Sequence, residues 1–244
     1  MLVGMRAVVT GGAGFIGSHL CGRPLDAGCE GVGCSVGCLR HPQETLRARF
    51  DGTRHAPGPA TAKGARSVLV SASGSHGDTR ARPESGTYRG EVDPAGPRSR
   101  HEEAKRFAGV AVTAYRTVYG THAAGTVQTF GPFDSWARSL CSVGELVDGV
   151  LKTVRPQVRG VVGPGGPDEL SALAPAAPAA GPAGSSATAA HIPSPGDGPR
   201  RRRPGIAPAR TAPGRQPAVS VEEGPRRTVD RCAAHRVPEL MPVA

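Results

Sequence analysis

A parallel sheet covered by helices, an α/β fold followed by a Pro/Gly/Ala-rich, largely irregular C-terminal region, is what the sequence predicts for this chain of 244 residues. Three observations carry that expectation. The run Arg6-Ala7-Val8-Val9-Thr10 is short, apolar and closed by glycines, and a helical pattern follows it from Gly14 to Leu25, which is the order expected of a buried parallel strand and its crossover. A second apolar run, Ser67-Val68-Leu69-Val70-Ser71, precedes the longest helical pattern of the chain. Eight of the 24 prolines lie in residues 1–150 and sixteen in the remaining 94.

Taken in order, the first helix holds Pro24. A proline there removes a backbone hydrogen bond and clashes with the carbonyl four residues earlier, so the helix is expected to end or kink near Arg23. The long helix is expected at about 100–119, where Ala104, Phe107, Ala108, Ala111, Ala114, Tyr115 and Val118 fall at helical spacing. Ser99 and Glu102 stand as a capping box at its start. A further helix is expected at about Gly144–Val154 and a weaker one at Ser220–Val229. Between them, Pro164–Pro217 also carries the runs Ala174–Ala187 and Arg200–Arg203. Few large apolar side chains interrupt it, so residues 156–218 are read mostly as loop or disorder. Two regions result: a nucleotide-binding domain at 1–155 and a largely irregular remainder at 156–244.

Composition narrows the classes. Gly 35 and Pro 24 approach the level at which low-complexity sequence begins, roughly a quarter of residues. Nine aromatic residues make a thin core. No apolar run reaches the about 20 residues of a membrane helix, and the glycines near the N-terminus argue against a signal peptide. The six cysteines form no C-x-x-C pair and no regular spacing, so neither a metal site nor a disulfide framework is expected, and a cytoplasmic location is the default. The net charge of +10 would raise nucleic acid as a partner. The chain nevertheless has 27 Arg against 3 Lys, no Asn and 3 Ile, a pattern of GC-rich codons, and it lacks the aromatic and basic interleaving that stacks bases.

The segment Thr10-Gly11-Gly12-Ala13-Gly14-Phe15-Ile16-Gly17 follows a predicted strand and opens a predicted helix, the context of a Rossmann-type dinucleotide turn. Gly11 permits the tight turn, Gly14 lets the backbone approach a pyrophosphate, and Gly17 lets helix and strand pack closely. Amides at the helix start, those of Phe15 and Ile16 among them, supply donors for the anion.

With its flanks, Met5–Leu20 resembles the opening of an extended short-chain dehydrogenase/reductase of the NAD-dependent sugar-nucleotide epimerase/dehydratase group. The segments Gly96–Ala108, Pro199–Pro204 and Val219–Gly224 are similar to the catalytic helix and C-terminal substrate region of bacterial UDP-glucuronate decarboxylases. The resemblance implies NAD as cofactor, a UDP-glucuronate-class nucleotide sugar as partner, and room for a homodimer. It implies oxidation of the sugar at C4, loss of the C5 carboxylate as carbon dioxide, and reduction to UDP-xylose.

It also implies a Tyr-x-x-x-Lys pair, and here the slots hold His101 and Lys105. Spacing of four places both on one face, where an ammonium eases proton exchange, and a histidine can take up a proton near neutral pH. Lys105 is also implied as a cofactor contact. Catalytic Thr and Glu positions fall at Ala72 and Gly74 in Ser71-Ala72-Ser73-Gly74-Ser75-His76-Gly77, and the acids implied for ribose and adenine fall at Ser35 and Ala56. Arg138 and Arg203 are implied as diphosphate contacts, a role suited to guanidinium geometry.

From Leu39 to Ser67 only 27 residues stand where the resemblance implies about two strand–helix units. Residues 49–55 are similar to the third strand and 60–66 to the end of a later helix. The strand that would lie beside the first is expected to be missing, and a second gap is expected after Gly131-Pro132. Three functional readings stand: a nucleotide-sugar decarboxylase, a decayed family member with at most residual dinucleotide binding, and a basic nucleic-acid-binding protein.

Overall fold

In a computed structural model of the chain, structure is described for residues 4–12, 14–26, 31–35, 50–72, 93–94, 99–120, 123–126, 137–155, 158, 160–162, 169–171, 174, 176–186, 201–202 and 218–234. β1 (Arg6–Thr10) leads through the glycines into α1 (Phe15–Asp26) and returns as β2 (Gly31–Ser35). The two strands pair in parallel from Arg6 opposite Gly31 to Thr10 opposite Ser35. α1 runs through Pro24 to Asp26 and does not stop near Arg23. Pro24 removes one hydrogen bond of the last turn, and Arg23 beside it is tied to Asp148 on another helix.

Residues 50–55 are helical, which corrects the likeness of 49–55 to a strand. The Phe50 ring lies 4.8 Å from that of Phe107, so the helical turn brings this aromatic pair into contact. α2 (Pro57–Ala62) begins with Pro57 buried in its first turn. It ends where Gly64 takes φ +59°, Ala65 N–H reaches the Ala60 carbonyl at 2.8 Å and Gly64 N–H reaches Thr61 at 3.0 Å. This left-handed glycine satisfies carbonyls that a helix end leaves open.

β3 (Ser67–Val70), the long α3 (Ser99–Tyr119) and β4 (Ala123–Thr126) follow, with Ser99 as the first helical residue. β5 (Ala137–Ser139), α4 (Val143–Thr153) and β6 (Gly160–Val162) come next. β3, β4 and β6 form one parallel sheet. β7 (Glu169–Ser171), α5 (Ala176–Ala180), β8 (Arg201–Arg202) and α6 (Glu223–Ala234) complete the described elements. β5 is the middle strand of a second three-stranded sheet, antiparallel to β7 and parallel to β8. Four short elements therefore lie within 156–218, where composition suggested loop. They are two to five residues long, too short for periodicity to announce, and the strands exist through pairing with β4 and β5.

The core gathers where α3 and α4 meet the parallel sheet of β3, β4 and β6: Ala104, Ala108, Leu146, Val147, Val150 and Val158 are buried. Thr153, fully buried, donates its hydroxyl to the Val150 carbonyl at 2.6 Å. Arg66, one residue before β3, donates Nε to the Thr153 carbonyl at 3.1 Å and a further N–H to Val158. It thereby satisfies the C-terminal end of α4, where a cation is favoured. Among the described residues no ladder joins β1 to β3. Val8, in mid-strand, is 81% exposed, although a parallel strand is normally covered on both faces.

At α6, Pro225 occupies the first turn, where its missing N–H costs nothing. Hydrogen bonds from Arg226 and then Arg227 hold the Glu223 carboxyl well below its ordinary value, at about 2. The folded value is the lower one, so the stabilisation is complete above the ordinary pKa of 4.5 and disappears as pH falls toward about 2. The helical signals of 223–234, followed by NMR against pH, are expected to hold from neutral pH to about 4.5 and to decline below it, in step with protonation of Glu223.

Candidate functional site

The β1–α1 turn is built from glycines that no other residue replaces without strain. Gly11 takes φ +75°, a left-handed conformation that favours glycine. Gly14 N–H bonds back to the Gly11 carbonyl at 2.9 Å, and Ser18 N–H makes the first helical bond to Gly14 at 2.8 Å. A Cβ on Gly17 would run into the Gly11 carbonyl, 2.7 Å from its carbon and 2.8 Å from Gly12 Cα. All of these are backbone atoms, so the helix lies against the turn only because residue 17 has no side chain. The Phe15, Ile16 and Gly17 amides stand in the first turn of α1, where helical amides lack an intrahelical acceptor. The structure thus brings together Gly11, Gly14, Phe15, Ile16 and Gly17, with Phe15 half exposed and its ring set edge-on to His19 at 5.3 Å.

Lys105 lies on the same helix face as His101, one turn later. Its ammonium donates to the Val70 carbonyl at 2.9 Å. Val70 is the last residue of β3 and Ser71 follows it, so Lys105 is held at the carboxyl end of a parallel strand. In open α/β sheets that is the edge where ligands bind. His101 is placed on α3 by its backbone alone. Ser35 ends β2 directly opposite Thr10, beside the start of the glycine turn. The position that the resemblance implies for a ribose-binding acid thus lies beside the turn, and it is a serine. Ala56 lies just before α2, with helical backbone angles.

Arg138 is the middle residue of β5, with Leu170 on one side and Arg202 on the other. This register sets Arg201 and Arg202 against the strand that carries Arg138, bringing together arginines that lie far apart in sequence. Arg203 itself lies outside the described residues, as do Ser73–Gly77, Gly131-Pro132 and Trp136. Among the described residues Cys21, Cys141 and Cys232 form no disulfide, no group of His, Cys, Asp and Glu could hold a metal ion, and no helix is long and apolar enough to cross a membrane.

Two further contacts lie near the site, and the first carries a sequence signal. Ser142-x-x-Glu145 is a capping box: Ser142 Oγ accepts from Glu145 N–H at 3.2 Å and meets the Glu145 carboxylate at 3.3 Å. Arg231 on α6 reaches Ser18 Oγ at 3.5 Å, a pairing across the length of the chain that no local pattern announces.

No family model matches the chain. It is 26% identical to UDP-glucuronic acid decarboxylase 1 of Danio rerio, in an alignment covering 92% of this chain and 72% of that protein. The alignment extends over 299 positions against a chain of 244 residues, so at least 55 of them have no residue here. The fold is similar to that of UDP-glucose 4-epimerase of Thermotoga maritima, solved with UDP-glucose: TM-score 0.80, 17% identity, 95% of this chain and 99% of that one. It is also similar to UDP-glucuronic acid 4-epimerase of Bacillus cereus, solved with NAD: TM-score 0.77, 14% identity, 96% and 100% coverage. With the glycine turn and the Lys105 position, these likenesses support the resemblance to the NAD-dependent sugar-nucleotide epimerase/dehydratase group, and the solved structures show that the chain shares their fold.

Proposed function

We propose that the chain is an NAD-binding protein that acts on a nucleotide sugar, of the UDP-glucuronate decarboxylase type. The observation that carries this reading is the Gly11–Gly17 turn, whose left-handed Gly11 and Cβ-free Gly17 leave first-turn amides facing a space that suits a pyrophosphate. The donors present fit the cofactor: the Phe15, Ile16 and Gly17 amides would hold its phosphates where Gly14 lets the backbone approach, and Lys105 its sugar end. Bound there, NAD supplies reversible hydride exchange with the sugar.

The rest falls to side chains. His101 in the tyrosine slot would take up and return the sugar hydroxyl proton, with the Lys105 charge alongside. Ser71, next to the Val70 carbonyl that Lys105 holds, offers a hydroxyl near the Thr slot at Ala72. Arg138 and Arg203 would clamp the diphosphate, since β8 runs beside β5. Residues 1–155 would form the cofactor domain, and 156–244 what is left of the substrate region. The nucleotide sugar is the partner, a homodimer the assembly, and the cytoplasm the compartment.

A second reading, a decayed family member with residual dinucleotide binding, is favoured by one observation: Val8 stands open in mid-strand where β1 and β3 share no ladder. An absent central strand accounts for it and agrees with the unmatched positions of the alignment. A melting curve with and without NAD, paired with carbon dioxide release from UDP-glucuronate, separates the readings. Binding must raise the transition, by about 2.7 kcal/mol at a hundredfold excess over Kd. A raised melt with turnover supports the enzyme, a raised melt without turnover supports the remnant, and an unmoved melt removes both.

A further inference from the structure

The Glu145 carboxylate does more than cap its own helix. While one oxygen meets Ser142 Oγ, the other accepts the Val219 N–H at 3.0 Å and also that of Ala218. These two amides belong to the segment that turns into α6, and Gly224 in its first turn packs toward Ser142 and Val219. Farther along α6, Arg231 donates to Ser18 Oγ at 3.5 Å. Ser18 in turn donates its hydroxyl to the Phe15 carbonyl at 2.9 Å and its N–H to Gly14 at 2.8 Å. The C-terminal helix is therefore fastened at its entry to the start of α4 and near its end to the first turn of α1.

We infer that Glu145 is a positioning residue for the glycine turn: through α6 and Arg231 it steadies the first turn of α1, so release of residues 218–234 loosens the dinucleotide site. For its effect on affinity this rests on the proposed NAD reading; for the mechanical link it does not. Coupling of this kind is reciprocal, so a ligand at the turn also tightens α6.

Hydrogen exchange on the full chain tests it. In Glu145→Ala the amides of Ala218 and Val219, and that of Ser18, are expected to exchange about tenfold faster or more, the scale of a lost hydrogen bond to a charged group. Glu145→Gln keeps an acceptor oxygen and is expected to restore wild-type exchange at all three. Arg231→Ala leaves the cap of α4 intact and is expected to speed Ser18 alone. Faster exchange confined to 142–146, or a Gln variant that behaves like Ala, overturns the inference. If Glu145→Ala does not fold, Arg231→Ala decides: unchanged exchange at Ser18 overturns it. NAD titration adds a separate arm. About tenfold weaker binding in the Ala variant, restored by Gln, supports the coupling, and equal affinities overturn it. A wild-type chain that binds no NAD defeats the proposed function, while the exchange results still decide the role of Glu145.

Discussion

Gly17→Ala is expected to abolish dinucleotide binding and to destabilise the chain, whereas Gly22→Ala five residues later on the same helix is expected to stabilise it. At residue 17 the new methyl meets the Gly11 and Gly12 backbone, and neither can rotate away as a side chain would. Helix and turn must separate, at a cost of about 1–3 kcal/mol for an overpacked contact. The first-turn amides move with the helix, and a displacement of about 1 Å at a positioned site is worth on the order of a hundredfold. At residue 22 an added Cβ has nothing within 4 Å, so only backbone propensity changes, by up to about 1 kcal/mol in favour of Ala. Melting curves of both variants, with NAD titrations, check the pair. Unchanged NAD affinity in Gly17→Ala would separate cofactor binding from this turn.

The second large effect is a gain. His101→Tyr is expected to raise carbon dioxide release from UDP-glucuronate by roughly a hundredfold or more over the wild type, the lower end of what a well-placed proton-transfer group contributes. A phenol reaches farther than an imidazole, and Lys105 already stands one turn on, held at the end of β3 by Val70. The lysine charge would favour the phenolate and bring its pKa toward the working pH. Adding Lys105→Ala is expected to remove the gain, and to cost about 1 kcal/mol from the lost hydrogen bond. A Tyr variant with no more turnover than the wild type would end the catalytic reading, since the missing Thr and Glu at Ala72 and Gly74 would then be decisive.

Local chemistry made the first strand, the glycine turn, the first helix and the middle helices legible. Gly11, Gly14 and Gly17 could be assigned their places because each answers to a constraint a few residues away, a turn or a helix start. α3 and α4 were legible for the same reason: both are longer than ten residues and carry apolar faces at helical spacing. The misreading at 49–55 arose where residues 50–55 form a helical turn and Phe50 packs against Phe107. The strands within 156–218 escaped because two or three residues carry no period, and pairing alone makes them strands.

By itself the sequence determined the glycine turn, the helices with full apolar faces, and the residues standing in the catalytic slots, since each is written in neighbouring positions. Tertiary structure decided what depends on distance across the chain. It set Lys105 on the Val70 carbonyl and laid Arg201 and Arg202 beside Arg138. It fastened the C-terminal helix to Glu145 and Ser18 and left Val8 uncovered where β1 and β3 do not pair. The physical reason is that such contacts are chosen by which surfaces remain to be covered once the local elements have formed, and no window of neighbouring residues records that choice.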